Sequence, residues 1–246
     1  MTTSNFSVDS SQYDDLKHHV QSLYPDVTFV NNFYLICDKI TQLQKNKINY
    51  VECGVFNGGT LLPVTVFSNG IDKEVNITGI DSFEGFPEGY TSNDYDDFNT
   101  FKTQLDAGEI TADNYSKAEA RCKGNTDTFT STDYFDIAES KAFEFANNTP
   151  NVTLIKGYFS DVLPSYNEDI DILFLDCDLY SSYLDCLNHL YEKVVAGGTI
   201  IFDEYYSHKY PGARQAVNEF FDGRNDGTFE KYMSPDDYER WCWVKK

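Results

Sequence analysis

The chain has 246 residues, 41% of them hydrophobic and 16% aromatic, enough for one well-packed α/β domain and too few for two full ones. Its 40 acidic residues against 19 basic ones leave a formal net charge of −21, the wrong sign for holding a phosphate backbone or an anionic membrane surface. No apolar run is long enough to span a bilayer, and Met1-Thr2-Thr3-Ser4-Asn5-Phe6 has no basic stretch leading into an apolar one, so no signal peptide is expected. The six cysteines, Cys37, Cys53, Cys122, Cys177, Cys186 and Cys242, form no CxxC pair, and several lie inside apolar runs. Reduced, packing cysteines and a cytoplasmic location are the expectation.

Residues 11–45 carry helical spacing interrupted at Tyr24-Pro25-Asp26 and predict two leading helices. Ile48 to Cys53 predicts a strand ending in a glycine turn, and Gly58 to Ser68 a short helix. Val75 to Ile80 predicts a second strand, which ends at Asp81. Residues 84 to about 130 break the rhythm. They are polar and carry Tyr90, Asp94, Tyr95, Asp96, Asp97, Phe98 and Phe101, a mixture that predicts a partly helical lid. Ser131 to Asn147 predicts a helix, Asn151 to Lys156 a strand, and Ile170 to Leu175 a strongly apolar strand running into Asp176. Ser181 to Val194 predicts a helix, Ala196-Gly197-Gly198 a turn, Thr199 to Phe202 a strand running into Asp203, and Tyr210 to Asp222 a helix. Thr228 to Met233 and Trp241 to Val244 predict a closing hairpin.

Alternating strands and helices predict a doubly wound, mostly parallel sheet, in which ligands bind beyond the carboxyl ends of the strands. Glu52, Asp81, Asp176 and Asp203 place an acid at four of those ends. One such acid is commonly a solvated strand end or a helix cap. Four of them beside a glycine turn point to a site.

The turn Glu52-Cys53-Gly54-Val55-Phe56-Asn57-Gly58-Gly59-Thr60 follows a strand and opens a helix. Its glycines are not spaced as in a GxGxxG fingerprint, and no Gly-Lys-Ser/Thr of a P-loop follows. A carboxylate beside the turn can pair with an amine, and Asp81 at the next strand end can take two ribose hydroxyls. An amine, a ribose and no phosphate describe S-adenosylmethionine. A second group, Asp176-Cys177-Asp178 with Asp203-Glu204 one strand later, clusters carboxylates that repel one another unless a cation sits among them. Oxygen-only ligands suit Mg²⁺, Mn²⁺ or Ca²⁺ rather than zinc.

With these residues in hand, the chain resembles the macrocin/mycinamicin sugar O-methyltransferase family, class I S-adenosylmethionine enzymes that require Mg²⁺. The resemblance runs through Val51 to Gly59, Asp81-Ser82-Phe83-Glu84-Gly85-Phe86-Pro87, Gly157 to Pro164, Leu175 to Ser182, and Gly197 to Tyr205 with Ala213-Arg214-Gln215-Ala216-Val217. It implies a single domain over residues 1–246, a doubly wound, seven-stranded, Rossmann-like α/β sheet with a helical N-terminal extension (1–45) and an inserted lid (84–130). It also implies that Glu52, Gly54, Val55, Phe56, Gly58, Gly59 and Thr60 hold the methionine end of the cofactor. Asp81, with Ser82 and Phe83, takes the ribose, and Phe159, Ser160 and Asp161 lie near the adenine. Asp176, Asp203 and Glu204 match the ligands of Mg²⁺ (or Mn²⁺), Asp176 serving both cofactor and catalysis. The implied partner is a small-molecule or sugar acceptor, with no nucleic acid and no membrane, and a homo-oligomer is left open.

Two departures stand out. Glu204 occupies a position where the family has Asp, and no His lies between His19 and His189, where the family carries a catalytic His in the insertion. His208, five residues beyond Asp203, is the candidate base in its place. Two other readings stay open. Asp176-Cys177-Asp178 matches the Asp-x-Asp of metal-dependent glycosyltransferases, and the fold could serve a non-catalytic acidic binding protein. The glycine turn with Glu52 and Asp81 favours methyl transfer to a hydroxyl.

Overall fold

The computed structural model describes residues 3–5, 9–23, 32–87, 98–124, 132–233 and 239–246. The strands are β1 (Thr3–Asn5), β2 (Lys47–Cys53), β3 (Glu74–Asp81), β4 (Val152–Lys156), β5 (Ile170–Leu175), β6 (Val194–Phe202), β7 (Gly227–Met233) and β8 (Glu239–Lys245). The α-helices are α1 (Asp14–Leu23), α2 (Asn32–Gln42), α3 (Leu61–Asn69), α4 (Phe98–Asp106), α5 (Ala112–Gly124), α6 (Thr132–Asn147), α7 (Phe159–Val162), α8 (Tyr180–Leu190) and α9 (Pro211–Phe221). The predicted break at Tyr24-Pro25-Asp26 and the lid residues Tyr90, Asp94, Tyr95, Asp96 and Asp97 lie outside the described residues.

The strands form one sheet in the order β1-β7-β8-β6-β5-β2-β3-β4. All neighbours are parallel except β8, which runs antiparallel to β6 and to β7. The seven expected strands, β2 to β8, are thus present, and the three-residue β1 extends the sheet beside β7. β5 is buried at every position, as a central parallel strand covered on both faces must be. Side-chain alternation divides the core. On one face Val51, Leu173, Leu175, Ile200 and Phe202 pack with Tyr183 and Leu187 of α8 and Val217 of α9. On the other, Tyr50, Ile172, Phe174 and Ile201 pack with Phe33, Ile36 and Ile40 of α2 and with Leu61 and Val64 of α3.

Two local differences from the sequence reading have clear causes. Ala196-Gly197-Gly198 is not a turn between helix and strand: the helix ends at Leu190, β6 already begins at Val194, and the three residues lie inside it as an irregularity between the pairs Ile170–Val194 and Ile172–Thr199. Gly197 there has φ +79°, which lets the extra residues bulge without breaking the strand. The insertion carries two helices, α4 and α5, with a small core of its own around Phe101, Ile110 and Ala118. Cys37, Cys53, Cys177, Cys186 and Cys242 are all free and buried. Among the described residues no helix is long and apolar enough to cross a membrane.

Candidate active site

The carboxyl ends of β3, β2 and β5 are tied together to their last residues. Gly54 N–H donates to the Ile80 carbonyl at 2.9 Å, and Asp176 N–H donates to the Cys53 carbonyl at 2.9 Å. A Cβ on Gly54 would stand 1.7 Å from the Asp176 carbonyl oxygen, and its φ is +93°. Glycine is therefore demanded there by both the close approach and the backbone conformation.

Asp81 shapes the turn that follows. Its Oδ2 accepts the N–H groups of Val55 and Phe56, each at 2.8 Å, and its Oδ1 accepts Phe83 N–H at 2.7 Å. Phe56 and Phe83 both have positive φ, 48° and 51°, so the carboxylate holds two residues in a conformation that side chains disfavour. Glu52, one residue before the strand end, is 1% exposed. Its Oε2 accepts the Tyr50 hydroxyl at 2.6 Å. Burial pushes its carboxyl up to about 8; hydrogen bonds from Tyr50 and the Leu61 backbone oppose the rise, and Asp81 and Asp203 add to it.

These residues border a cavity of about 440 Å³. The glycine turn contributes Gly54, Val55, Phe56, Asn57, Gly59 and Thr60 beside Glu52. Asp81, Ser82, Phe86 and Pro87 form a second wall, and Gly157, Tyr158, Phe159 and Ser160 a third. The floor beyond β5 is Asp176, Cys177 and Asp178, continued by Ser181, Ser182 and Asp185 of α8. On the glycine-turn wall the buried Thr60 hydroxyl has no hydrogen-bond partner among the described residues.

Three predicted cofactor residues do not line the cavity. Gly58, with φ +84°, packs toward Leu62. Phe83 is buried against Phe143, with ring centroids 5.6 Å apart. Asp161 is exposed, and its N–H closes a turn onto the Tyr158 carbonyl. The sequence reading did not single out Ser181, Ser182 and Asp185 for the cavity. The signal was there: a helix opening directly after an acidic strand end sends its first turns toward the site.

The carboxylates regroup relative to the motif. Asp176, Asp178 and Glu204 each bring an oxygen within 4.8 Å of the others. Asp178 reaches this position from a left-handed backbone, φ +61°. Asp203 is not in the group; its Oδ1 accepts from Asn32 Nδ2 and lies 3.7 Å from Arg240 Nη1. Burial and then the charges of neighbouring acids, Asp203 foremost, hold the carboxyls of Asp176 and Glu204 well above the usual range. A hard divalent cation among these oxygens would relieve that strain, so the donor set fits Mg²⁺ or Mn²⁺. His208 does not line the large cavity. It borders a small one of about 10 Å³, together with Glu204, Tyr206 and the insertion residues Phe101, Gln104 and Asn114.

The fold has close counterparts among solved structures. The O-methyltransferase NovP matches with a TM-score of 0.61 at 20% identity, over 97% of this chain and 100% of that one. The architecture, with its cavity at the carboxyl ends of the parallel strands, is that of a class I methyltransferase. The family model for macrocin-O-methyltransferase (TylF) matches residues 135–238, about two fifths of the chain. Mycinamicin III 3''-O-methyltransferase of Micromonospora griseorubida is 28% identical over 178 residues, 70% of this chain and 59% of that protein. Demethyldecarbamoylnovobiocin O-methyltransferase of Streptomyces niveus is 40% identical over 70 residues, 28% of this chain and 26% of that protein. The chain thus spans less than two thirds of the length of either relative.

Proposed function

We propose that the protein transfers a methyl group from S-adenosylmethionine to a hydroxyl of a sugar or glycosylated small molecule, with Mg²⁺ as the metal. The observation that carries this reading is one cavity holding two elements: the buried Glu52 and partnerless Thr60 at the glycine turn, and the Asp176 and Asp178 carboxylates across from them. The first suits the amine and carboxylate of a methionine end, the second a metal-bound hydroxyl. When bound, S-adenosylmethionine supplies an electrophilic methyl and Mg²⁺ lowers the pKa of the acceptor hydroxyl.

The chain's own residues do the rest. Glu52 pairs with the amine. Asp81 pins the turn and, lining the cavity, would accept from the ribose hydroxyls. Asp176, Asp178 and Glu204 would hold the metal, which would bind and orient the acceptor hydroxyl. Aromatic residues Phe56, Phe86, Tyr158 and Phe159 wall the cavity and exclude water. His208, the candidate base, borders the small space it shares with Glu204 rather than the cavity itself, so on this reading it acts only where the acceptor reaches that space. His208→Ala then lowers kcat by roughly 10²–10⁴ and leaves cofactor affinity alone. A fall below about threefold removes His208 from the mechanism.

One observation favours a metal-dependent glycosyltransferase: Asp176 and Asp178 do lie together in the carboxylate group. Calorimetry separates the two. S-adenosylhomocysteine binding, with a UDP-sugar left unbound in the presence of Mn²⁺, supports methyl transfer; the reverse pattern overturns it. Loss of turnover in EDTA, with homocysteine-analogue binding retained, is the expected metal dependence.

A further inference from the structure

Arg214 is a buried cation, 4% exposed, in a chain with a large excess of acids. Its hydrogen-bond acceptors are nevertheless two carbonyl oxygens. Nε donates to the Tyr205 carbonyl at 2.9 Å, and Nη1 donates to the Glu109 carbonyl at 2.8 Å. The guanidinium carbon also sits 3.8 Å from the centroid of the Tyr206 ring and 4.9 Å from that of Tyr205. Tyr205 and Tyr206 belong to the 3₁₀ turn Glu204–Tyr206 that carries Glu204. Glu109 lies in the connection between α4 and α5. One side chain of α9 therefore grips both the turn that presents a metal-site carboxylate and the insertion. A planar fork that donates in two directions and stacks on a ring is a task for arginine, and lysine cannot reproduce it.

A second buried bond lies beside it. Gln104 of α4, 2% exposed, donates through Nε2 to the Pro211 carbonyl at the start of α9, at 2.9 Å. Only a small cavity of about 10 Å³ lies where Phe101, Gln104 and Ile110 of the insertion meet the Glu204–Tyr206 turn and Arg214. Breaking the Gln104 bond leaves the buried Pro211 carbonyl without its donor, and breaking the Arg214–Glu109 bond leaves a buried guanidinium N–H without its acceptor, costs that fall on the seated state.

We infer that Arg214 is a positioning residue that clamps the α4–α5 insertion onto the Glu204–Tyr206 turn, making residues 98–124 a fixed wall and setting where Glu204 stands. The part of this inference that concerns Glu204 rests on the metal reading given above; the clamp itself does not.

The test combines amide hydrogen exchange with Mn²⁺ titration followed by the electron paramagnetic resonance signal of the free ion. Arg214→Lys keeps the charge and removes the fork. It is expected to speed exchange in residues 98–124 by about tenfold or more while β2 and β5 stay protected. It is also expected to weaken Mn²⁺ by about tenfold, with S-adenosylhomocysteine affinity held within about twofold. Gln104→Met releases only the second bond, so it should speed exchange in 98–124 without changing Mn²⁺ affinity; it also serves if Arg214→Lys does not fold. Unchanged exchange in 98–124 in either variant overturns the clamp. Faster exchange with unchanged Mn²⁺ affinity in Arg214→Lys overturns the positioning of Glu204 and leaves a purely structural bond. A parent protein that binds neither Mn²⁺ nor S-adenosylhomocysteine removes the proposed function and the Glu204 half of this inference with it, and the exchange comparison then decides the clamp alone.

Discussion

The Tyr183 hydroxyl lies 2.6 Å from Glu204 Oε2, and its oxygen receives the Glu204 backbone N–H at 3.2 Å. The same hydroxyl lies 2.9 Å from the Leu175 carbonyl at the end of β5. One phenol on α8 thus ties the ends of β5 and β6 together and fixes the carboxylate between them. Its ring is fully buried, so the tie is made without competing water. Partners of this kind orient a ligand rather than bind the metal, and their loss typically costs 10- to 100-fold in metal affinity.

Tyr183→Phe keeps the ring and removes the hydroxyl. We expect Mn²⁺ affinity to fall by about 10- to 100-fold and stability by about 1–3 kcal/mol, the cost of leaving buried polar groups unmatched. Isothermal titration with Mn²⁺ and urea denaturation read the two separately. An unchanged Mn²⁺ affinity would mean that Glu204 takes no part in the metal site.

Asp81 is tied into the fold while it borders the cavity. Its two oxygens already accept three backbone N–H groups from the glycine turn and from Phe83. Asp81→Ala should therefore lose about 2–4 kcal/mol of stability in the absence of any ligand, since charge-assisted bonds to a carboxylate are worth more than neutral ones. Weakened S-adenosylhomocysteine binding should accompany it. Normal stability with lost binding would confine Asp81 to the ribose; the opposite pattern would confine it to the turn.

Much of this arrangement is legible in the chain before any coordinates. Ile170 to Leu175 reads as a buried strand because five of its six residues are apolar and run into an acid, and the structure ends β5 at the same residue. The glycine turn is legible because its glycines break an apolar run where a helix must begin. What escapes is any relation between residues far apart in sequence. Nothing local in Asp203 tells that Asn32 and Arg240 draw on its carboxylate, or in Arg214 that its acceptor is Glu109. The glycines of β6 mislead for a different reason: Gly-Gly reads as a turn ahead of the strand, whereas it is an irregularity inside β6, with pairing to β5 at Val194 before it and at Thr199 after it. Asp178 is legible as part of the acidic cluster but not as one of the three gathered carboxylates, because its left-handed backbone is what turns it toward Asp176 and Glu204.

Glu52 sets a pH dependence of unusual sign. Its carboxyl titrates at about 8 in the folded protein against 4.5 for an ordinary Glu. The folded state then binds the proton more tightly than the unfolded state. Stability from this group is complete below pH 4.5, declines as the pH rises toward 8, and is level above that. The decline is at most about 1.4 kcal/mol per pH unit. Urea denaturation at a series of pH values should show the slope in the parent and its absence in Glu52→Gln. A ligand amine that pairs with the ionised carboxylate must also expel the proton. At pH 7, S-adenosylhomocysteine binding should release nearly one proton, measured by calorimetry in buffers of different ionisation enthalpy. Equal proton release by Glu52→Gln would take the amine away from Glu52.

The last test asks which carboxylates hold the metal. The motif places Asp203 with Asp176 and Glu204, while the geometry gathers Asp176, Asp178 and Glu204 and leaves Asp203 beside Asn32 and Arg240. Each arrangement makes its own forecast for the neutral isosteres, which change charge and little else. If the gathered oxygens are the ligands, Asp178→Asn loses Mn²⁺ affinity by about tenfold or more, the scale of a hard cation losing one anionic ligand. Asp203→Asn then acts mainly on the fold: the buried Asn32 and Arg240 lose a charged partner, and stability drops by about 1–3 kcal/mol with Mn²⁺ affinity largely kept. If the motif set is correct, the two variants exchange behaviours, because Asp203 must leave Asn32 and Arg240 to reach the ion. Mn²⁺ titrations of both variants beside their urea midpoints decide between the two, and Asp176→Asn, common to both sets, should abolish binding in either case.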